Sequence, residues 1–98
     1  MNVSLSLILI SNYPIPQAVA EKIAGGRGLN PEDNFSSELS ASAAYKLAVS
    51  DVYEYLSTAP EITQAGITFK VTDELRKKYT GMAFELRGQY GSSQDINQ

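Results

Sequence analysis

Apolar residues recur with the spacing of an α-helix through the middle of the chain. Between positions 41 and 59, one row contains Ala41, Ala44, Ala48, Val52 and Tyr55, with Leu47 and Leu56 beside it. Ser40 is a favourable N-cap, and Pro60 cannot continue a helix. The pattern therefore predicts a central helix that begins near Ser40 and ends near Thr58.

A second apolar row lies near the C-terminus and predicts the final helix. Its members are Leu75, Tyr79, Met82, Ala83, Leu86 and Tyr90. Thr72 is the expected N-cap, and Gly91 is expected to end the helix. Asp73 and Glu74 occupy the first turn, where the helix dipole favours acidic side chains. Gly81 costs this helix about 1 kcal/mol relative to alanine, which indicates either close packing or tolerance by a long helix.

The first third of the chain gives weaker signals. Residues 3–10 fit either a strand or a helix, and we prefer a helix because the segments that follow are helical. Pro16 is expected to be the first residue of the next helix, and Gly25-Gly26 to end it. Further along, residues 67–71 alternate between apolar and polar types, which predicts a short extended segment.

These elements predict an all-α, or nearly all-α, fold: a compact bundle of three to four helices with a short extended segment near residues 67–71. A chain of 98 residues suits one domain with its own core. We expect that domain to span residues 1–91, and residues 92–98 to form a disordered tail. The predicted core comprises Val19, Ile23, Leu47, Ala48, Val52, Leu56, Leu75, Tyr79, Met82 and Leu86.

The residue types that are missing from the chain restrict its chemistry. It has no cysteine and no histidine, which excludes disulfides, thiolate metal sites and any mechanism that needs imidazole. Carboxylates, lysines and tyrosines remain, but no acidic pair lies on an apolar background apart from Asp51 and Glu54. We therefore expect no catalytic, metal-binding or cofactor-binding residues, and predict that the protein is not an enzyme.

Charge is distributed unevenly along a chain whose net charge is −3. Residues 1–69 carry three basic and seven acidic side chains, for −4, whereas residues 70–87 carry five basic and three acidic ones, for +2. The overall acidity gives no general reason to bind nucleic acid. Two interpretations of the basic segment remain open: a solvated helix face, or a surface that attracts the acidic part of another copy.

Asp51 falls within the apolar row of the central helix. A charged carboxylate buried there without a partner would cost several kcal/mol, so it must be paired or neutralised. The candidate partners are Arg27, Arg76, a tyrosine hydroxyl and the backbone amides of a loop. Asp51 is therefore predicted to be a structural buried polar residue that ties the fold together.

Five residues are candidates for an interface: Arg76, Lys77, Lys78, Tyr53 and Glu54. The three basic residues are consecutive, which allows weak phosphate contact but lacks the spacing of a DNA-reading helix-turn-helix. Tyrosines are enriched in protein interfaces, and they also line the edges of cores with their hydroxyl groups in water. Glu54 lies one helical turn after Asp51.

Several short segments resemble small uncharacterised proteins of gut-bacterial prophages. They are Tyr13-Pro14-Ile15-Pro16, Arg27-Gly28-Leu29, Ala44 to Ala48 through Asp51, Leu56-Ser57-Thr58-Ala59-Pro60, Phe69 to Arg76, and Tyr90-Gly91. That family is in turn similar to the helical head–tail connector, or head-completion, proteins of tailed phages. The resemblance implies a subunit that works by shape and assembly, carries no catalytic residues and forms rings between portal and tail.

The same resemblance implies the partners, which are other copies of the protein or phage portal and tail proteins, and a location in the cytoplasm of the bacterial host or in the virion. A ring needs a heterologous interface, for which the acidic residues 1–69 and the basic residues 70–87 are a suitable pair. No membrane association is expected, because residues 1–10 lack the features of a signal peptide and are too few to span a bilayer. The alternative function is a small protein-binding or regulatory module with weak nucleic-acid contact.

Overall fold

The computed structural model describes residues 1–91, and the predicted tail, residues 92–98, lies outside the described residues. The described part contains the helices α1 (Val3–Ile8), α2 (Gln17–Gly26), α3 (Ser37–Ser40), α4 (Ala43–Ser57) and α5 (Asp73–Tyr90). Between α4 and α5, the strands β1 (Ile62–Gln64) and β2 (Ile67–Phe69) form an antiparallel sheet. The fold is mostly helical, as predicted, but it is not strictly all-α, and it has five helices where three to four were expected.

The start of the chain is a helix, which confirms the preferred interpretation of residues 3–10. Asn2 caps α1 by accepting a hydrogen bond from a backbone amide of the first turn. The amides of Val3 and Ser4, which have no acceptor inside the helix, donate to the carbonyls of Asp33 and Pro31 at 3.0 Å each. The helix start is therefore completed by a loop that comes later in the sequence.

The second helix ends at Gly26, as the Gly25-Gly26 pair predicts, but the left-handed glycine that completes its cap is Gly28. Gly28 has a φ of 76°, and the amides of Gly28 and Leu29 donate back to the last turn of α2 at 3.1 and 2.9 Å. These two bonds form a Schellman motif, whose positive φ favours glycine. The start of α2 also differs by one residue, because Pro16 is the N-cap and not the first helical residue.

The central helix starts later than predicted because a separate turn of helix precedes it. Ser40, the predicted N-cap, is the last residue of α3. The N-cap of α4 is Ser42, whose hydroxyl oxygen accepts a hydrogen bond from the Tyr45 amide at 3.2 Å. Thr58 is the C-cap, so the end of the helix is as predicted.

The segment between α4 and α5 is a β-hairpin. Its strands pair in antiparallel register, with Thr63 opposite Thr68. Ala65 and Gly66 connect them with φ values of 53° and 78°, and two successive positive φ values are characteristic of a type I′ turn. The extended segment predicted near residues 67–71 is confirmed for β2, whereas its partner strand β1 has no counterpart among the predicted elements.

The last helix begins and ends as predicted, but its apolar face is only partly buried. Thr72 accepts a hydrogen bond from the Leu75 amide at 3.2 Å, and Gly91 is the C-cap. Leu75 was predicted to be a core residue and is 37 % exposed, so that prediction is wrong. The helix packs along α4 alone among the described helices, and Ala83 is its one buried residue within residues 1–91.

Gly81 on α5 does not mark a close contact within the described chain. A Cβ atom built on Gly81 would meet no atom of residues 1–91 within 4 Å, outside its own stretch of helix. Close packing against other parts of residues 1–91, one of the two explanations offered for this glycine, is therefore wrong.

The hydrophobic core lies between α1, α2 and one side of α4. Its buried members are Val3, Leu7, Tyr13, Ile15, Ala20, Ala24, Tyr45, Ala48, Val52, Leu56, Ala59 and Val71. Four predicted core residues are buried, namely Leu47, Ala48, Val52 and Leu56. Five are only partly buried, namely Val19, Ile23, Tyr79, Met82 and Leu86. Four of the nine unpredicted members come from α1 and from the turn before α2, where apolar runs are too short to show a period.

Candidate interaction surface and its central ion cluster

The carboxylate of Asp51 is held by two arginines from different parts of the fold. Arg27 donates from Nε to Oδ2 at 2.7 Å and from a terminal nitrogen to Oδ1 at 2.9 Å. Arg87 donates to Oδ1 at 2.7 Å and also forms an ion pair with Glu54. These four side chains, which we call the Asp51 cluster, carry two positive and two negative charges.

The Asp51 cluster connects the three longest helices of the described chain. Asp51 and Glu54 lie on α4, Arg27 is the C-cap of α2, and Arg87 lies in the last turn of α5. The side chain of Asp51 is 23 % exposed, so it lies at the edge of the apolar row and not within the core. From that edge a single carboxylate reaches both neighbouring helices.

Among the candidate partners of Asp51, Arg27 is confirmed and Arg76 is wrong. Arg87 was not considered, although a signal for it exists. It lies four residues after Ala83 and three before Tyr90, so it falls on the side of α5 that faces α4. A cation on the inward face of one helix and an acid on the inward face of its neighbour are the expected pattern of an ion pair between helices.

Burial and ion pairing act in opposite directions on Asp51. Burial by itself raises the pKa of the carboxyl group, but the hydrogen bonds from Arg27 and Arg87 outweigh it, and the pKa of Asp51 lies below its ordinary value of 3.8. The hydrogen bond to Asp51 in turn raises the pKa of Arg27. A general acid or base works best with a pKa near the working pH. The lowered pKa moves Asp51 away from that role.

Arg76 has a structural role that the sequence analysis did not assign. Its guanidinium donates three hydrogen bonds to backbone carbonyls, including Ser57 at 3.0 Å and Ala59 at 2.7 Å. Ser57 is the last residue of α4, where the backbone carbonyls have no amide donor within the helix and the helix dipole favours a cation. Arg76 therefore joins the end of α4 to the start of α5. In the basic run, Lys77 and Lys78 are the exposed residues.

The other two candidate interface residues lie in different environments. The ring of Tyr53 stacks on that of Tyr79, with centroids 5.7 Å apart and planes at 12°. Burial, and then the neighbouring Tyr79, raises the pKa of the Tyr53 hydroxyl. Tyr53 is thus part of the contact between α4 and α5, whereas the Glu54 side chain is 58 % exposed. Glu54 belongs to the open surface.

Two open grooves run along the exposed edge of α4, one on each side of Glu54. The α2–α4 groove has a volume of about 450 Å³, and its apolar lining includes Val19, Ile23 and Tyr55. The α4–α5 groove has a volume of about 260 Å³ and is lined in part by Phe84. Because Glu54 lines both grooves, they belong to one continuous face of the molecule.

Phe84 gives this face an unusual feature. Its side chain is 79 % exposed, more than any other large hydrophobic residue in the described chain. It lies on α5 directly after the buried Ala83, so its ring projects from the edge of the contact between α4 and α5. The face therefore combines a projecting aromatic ring, two grooves and the Asp51 cluster.

Comparison of the chain with protein-family models, with curated proteins and with solved structures finds no match. Within residues 1–91 there is no group of three or more acidic, histidine or cysteine side chains that could hold a metal ion. No helix in this part of the chain is long and apolar enough to cross a membrane. The resemblance to head–tail connector proteins thus stays a prediction, and the function has to be argued from the geometry.

Proposed function

We propose that this protein is a non-enzymatic structural or assembly protein, a subunit of the head–tail connector type that acts by contact with other protein subunits. The observation that carries the proposal is the face described above, where Phe84 projects beside two open grooves. Aromatic side chains are enriched in protein interfaces, so an exposed phenylalanine beside two open grooves supports a contact site. The contact would form in the cytoplasm of a bacterial host or in the virion.

The scaffold behind this face suits a role in assembly. The Asp51 cluster holds the ends of α2 and α5 against α4, and Arg76 joins α4 to α5. These links position the walls of both grooves relative to one another before any partner arrives. Such preorganisation lowers the conformational entropy that binding would otherwise cost.

The expected partners are other copies of this protein or phage portal and tail proteins. Residues 1–69 carry a net charge of −4 and residues 70–87 a net charge of +2. Opposite charge on two surfaces speeds encounter and selects the correct partner. A heterologous contact between the acidic part of one copy and α5 of the next is the arrangement that a ring requires.

The alternative function, a regulatory module that contacts nucleic acid, receives less support from the geometry. Of the basic run, Arg76 is engaged by backbone carbonyls, which leaves Lys77 and Lys78 to contact phosphate. Each phosphate neutralised contributes about one unit to the salt dependence of binding. Two lysines on an acidic protein therefore support only weak, salt-sensitive binding to DNA.

Light scattering and native mass spectrometry on the full chain test the proposal. We expect oligomers at high protein concentration and low salt, and partial dissociation as salt screens the charged surfaces. Monomer at every concentration and salt would contradict self-assembly. In a parallel titration with duplex DNA, micromolar affinity with a steep salt dependence would instead favour the alternative function.

A further inference from the structure

The first helix carries an exposed apolar surface on its solvent side. Leu5 is 42 % exposed and Leu9 is 62 % exposed. The Leu9 amide donates to the Leu5 carbonyl at 3.0 Å, so the two residues follow helical spacing and lie on the same side. Ser6 and Leu7, which lie between them in the sequence, are buried. We call Leu5 and Leu9 together the α1 outer surface.

Several carboxylates lie beside α1. The amides at the start of α1 donate to carbonyls of a loop that contains Glu32 and Asp33, both of which are exposed. On the side of α2, Gln17 donates to the Ser4 hydroxyl at 3.0 Å and to the Glu21 carboxylate at 3.1 Å. The shared donor places Glu21 close to α1 as well. Three acidic side chains therefore accompany the α1 outer surface.

Positive charge is scarce in the same part of the molecule. Residues 1–16 and 28–45 contain no lysine and no arginine. On α2, Lys22 lines the α2–α4 groove, whose lining includes no residue of α1. The α-amino group of Met1 adds one positive charge against the three carboxylates. The surroundings of the α1 outer surface are therefore acidic.

The surface of α5 around Phe84 has the complementary character. Phe84 projects into solvent, and Lys77, which is also exposed, lies two helical turns before it on the same side. Gly81 lies between them, and a Cβ atom there would meet no described atom within 4 Å outside its helix, so another helix can approach closely. The neighbouring Glu85 lines a different groove from Phe84. We call Lys77, Gly81 and Phe84 the α5 outer surface.

The two outer surfaces cannot meet within one copy of the described chain. Among the helices of residues 1–91, α1 packs against α2 and α4, and α5 packs against α4 alone. One surface is apolar with acidic neighbours, and the other is apolar with a basic neighbour. Like charges oppose a contact between two surfaces of the same kind, whereas unlike charges favour a contact between the two kinds. The occupant that fits each surface is thus the other surface on a second copy.

We propose that the α1 outer surface of one copy binds the α5 outer surface of the next, with Phe84 packed against Leu5 and Leu9 and with Lys77 near the carboxylates beside α1. This proposal rests on the proposed function, because it names the two surfaces of its heterologous contact. Each added copy leaves one surface of each kind free, so the assembly grows until a ring closes or a filament forms. The contact is small, and small interfaces are weak, so assembly needs a high protein concentration.

Native mass spectrometry of two full-chain variants, alone and mixed, tests the pairing. One variant combines Leu5→Ser with Leu9→Ser, and the other carries Phe84→Ser. Each variant alone should show a dissociation constant raised about tenfold or more relative to the wild type. An equimolar mixture, with one variant isotopically labelled, should form a one-to-one heterodimer that does not grow, because each variant keeps one intact surface and those two are complementary.

Matched variants control for a general loss of exposed apolar surface and of charge. Ile67→Ser changes an exposed residue of the hairpin outside both surfaces, so it should leave the dissociation constant within about twofold. Lys77→Glu should raise that constant about threefold or more at low salt, and the effect should decrease as salt screens the charges. Lys22→Glu makes the same change of charge on α2 and should not weaken assembly. Circular dichroism verifies that every variant folds, as expected for substitutions at exposed positions.

The outcomes separate this inference from the proposed function. If the wild type assembles and either surface variant leaves assembly unchanged, the inference is wrong while self-assembly stands. If both variants weaken assembly but their mixture gives no heterodimer, the two surfaces do not bind each other and the inference is again wrong. A wild type that stays monomeric at every concentration and salt contradicts the inference and self-assembly alike. Loss of assembly in each variant with recovery of a heterodimer in the mixture supports the inference.

Discussion

The two sides of α4 are held in different ways. On one side, α1 and α2 contribute buried apolar residues, such as Leu7 and Ala24, to a continuous core. On the other side, α5 runs for 18 residues, and Ala83 is its one buried residue within the described chain. That helix is attached instead by the Tyr53–Tyr79 stack, by the Asp51 cluster and by Arg76. An apolar row on a helix thus predicts which side faces its neighbour, but not how deeply that side is buried.

The difference bears on function as well as on stability. A helix that is attached along one side keeps most of its surface available to another molecule, and α5 carries the exposed Phe84. Elements with few buried apolar contacts also open more readily than the core. The side of α4 that faces α1 and α2 contains most of the buried apolar residues, and the side that faces α5 presents the surface.

The largest expected effect comes from truncating a core side chain. Leu56 is fully buried, so Leu56→Ala should lower the free energy of unfolding by about 2–5 kcal/mol. Leu86, a half-buried residue of α5, is the matched position on the other side. Leu86→Ala should cost about 1.5 kcal/mol or less, because its side chain is already partly in water. Urea denaturation followed by circular dichroism measures both, and equal losses would remove the contrast between the two sides.

The next effect concerns the residue that links both sides. Asp51→Ala should destabilise the protein by about 1–3 kcal/mol, because Arg27 and Arg87 lose their shared acceptor while partly buried. Glu54→Ala is the control and should cost about 1 kcal/mol or less, as for an exposed ion pair. A melting temperature that Asp51→Ala leaves unchanged would show that the cluster does not hold the helices together.

Acid should progressively remove the stabilisation that the ion pairs of Asp51 contribute. Because ion pairing keeps the pKa of Asp51 below 3.8 in the folded protein, the unfolded chain takes up this proton first as the pH falls. The stabilisation by Asp51 is therefore complete above that ordinary pKa and is lost as the pH falls through the lower pKa of the folded state. Denaturation at a series of pH values measures the free energy of unfolding of the wild type and of Asp51→Asn. The wild type should be more stable by a constant amount from neutral pH down to about pH 4, and this difference in free energy should become smaller below about pH 4. A difference that widens in acid would contradict the direction of the pKa shift.

The smallest effect is a gain in stability. Gly81→Ala adds a methyl group that meets no described atom within 4 Å outside its helix, so it should stabilise the dilute protein by about 0.5–1 kcal/mol. Hydrogen exchange should slow at the amides of α5 more than at those of α1, because the gain is local to α5. A loss of stability in the dilute protein would mean that Gly81 serves a contact within the monomer.

Much of the local structure follows from the sequence, because it depends on residues close together in the chain. The cap at Thr72, the stop at Gly91 and the end of α4 near Thr58 were all predicted from side-chain chemistry at single positions. The need for Asp51 to have a partner was likewise evident from its place in an apolar row. In each case the relevant interaction spans a few residues, which a sequence pattern can reveal.

The tertiary structure decided what depends on distant parts of the chain. Arg87 reaches Asp51 across 36 positions, and the loop carbonyls of Pro31 and Asp33 complete the start of α1. The tertiary structure also decided how far the apolar side chains of each helix are buried, since burial depends on how many other elements pack against that helix. Leu56 belongs to the core cluster, whereas Leu75 and Phe84 lie on a helix that, within residues 1–91, packs against α4 and no other helix. Periodicity orients a side chain, but only the packing of other elements removes it from water.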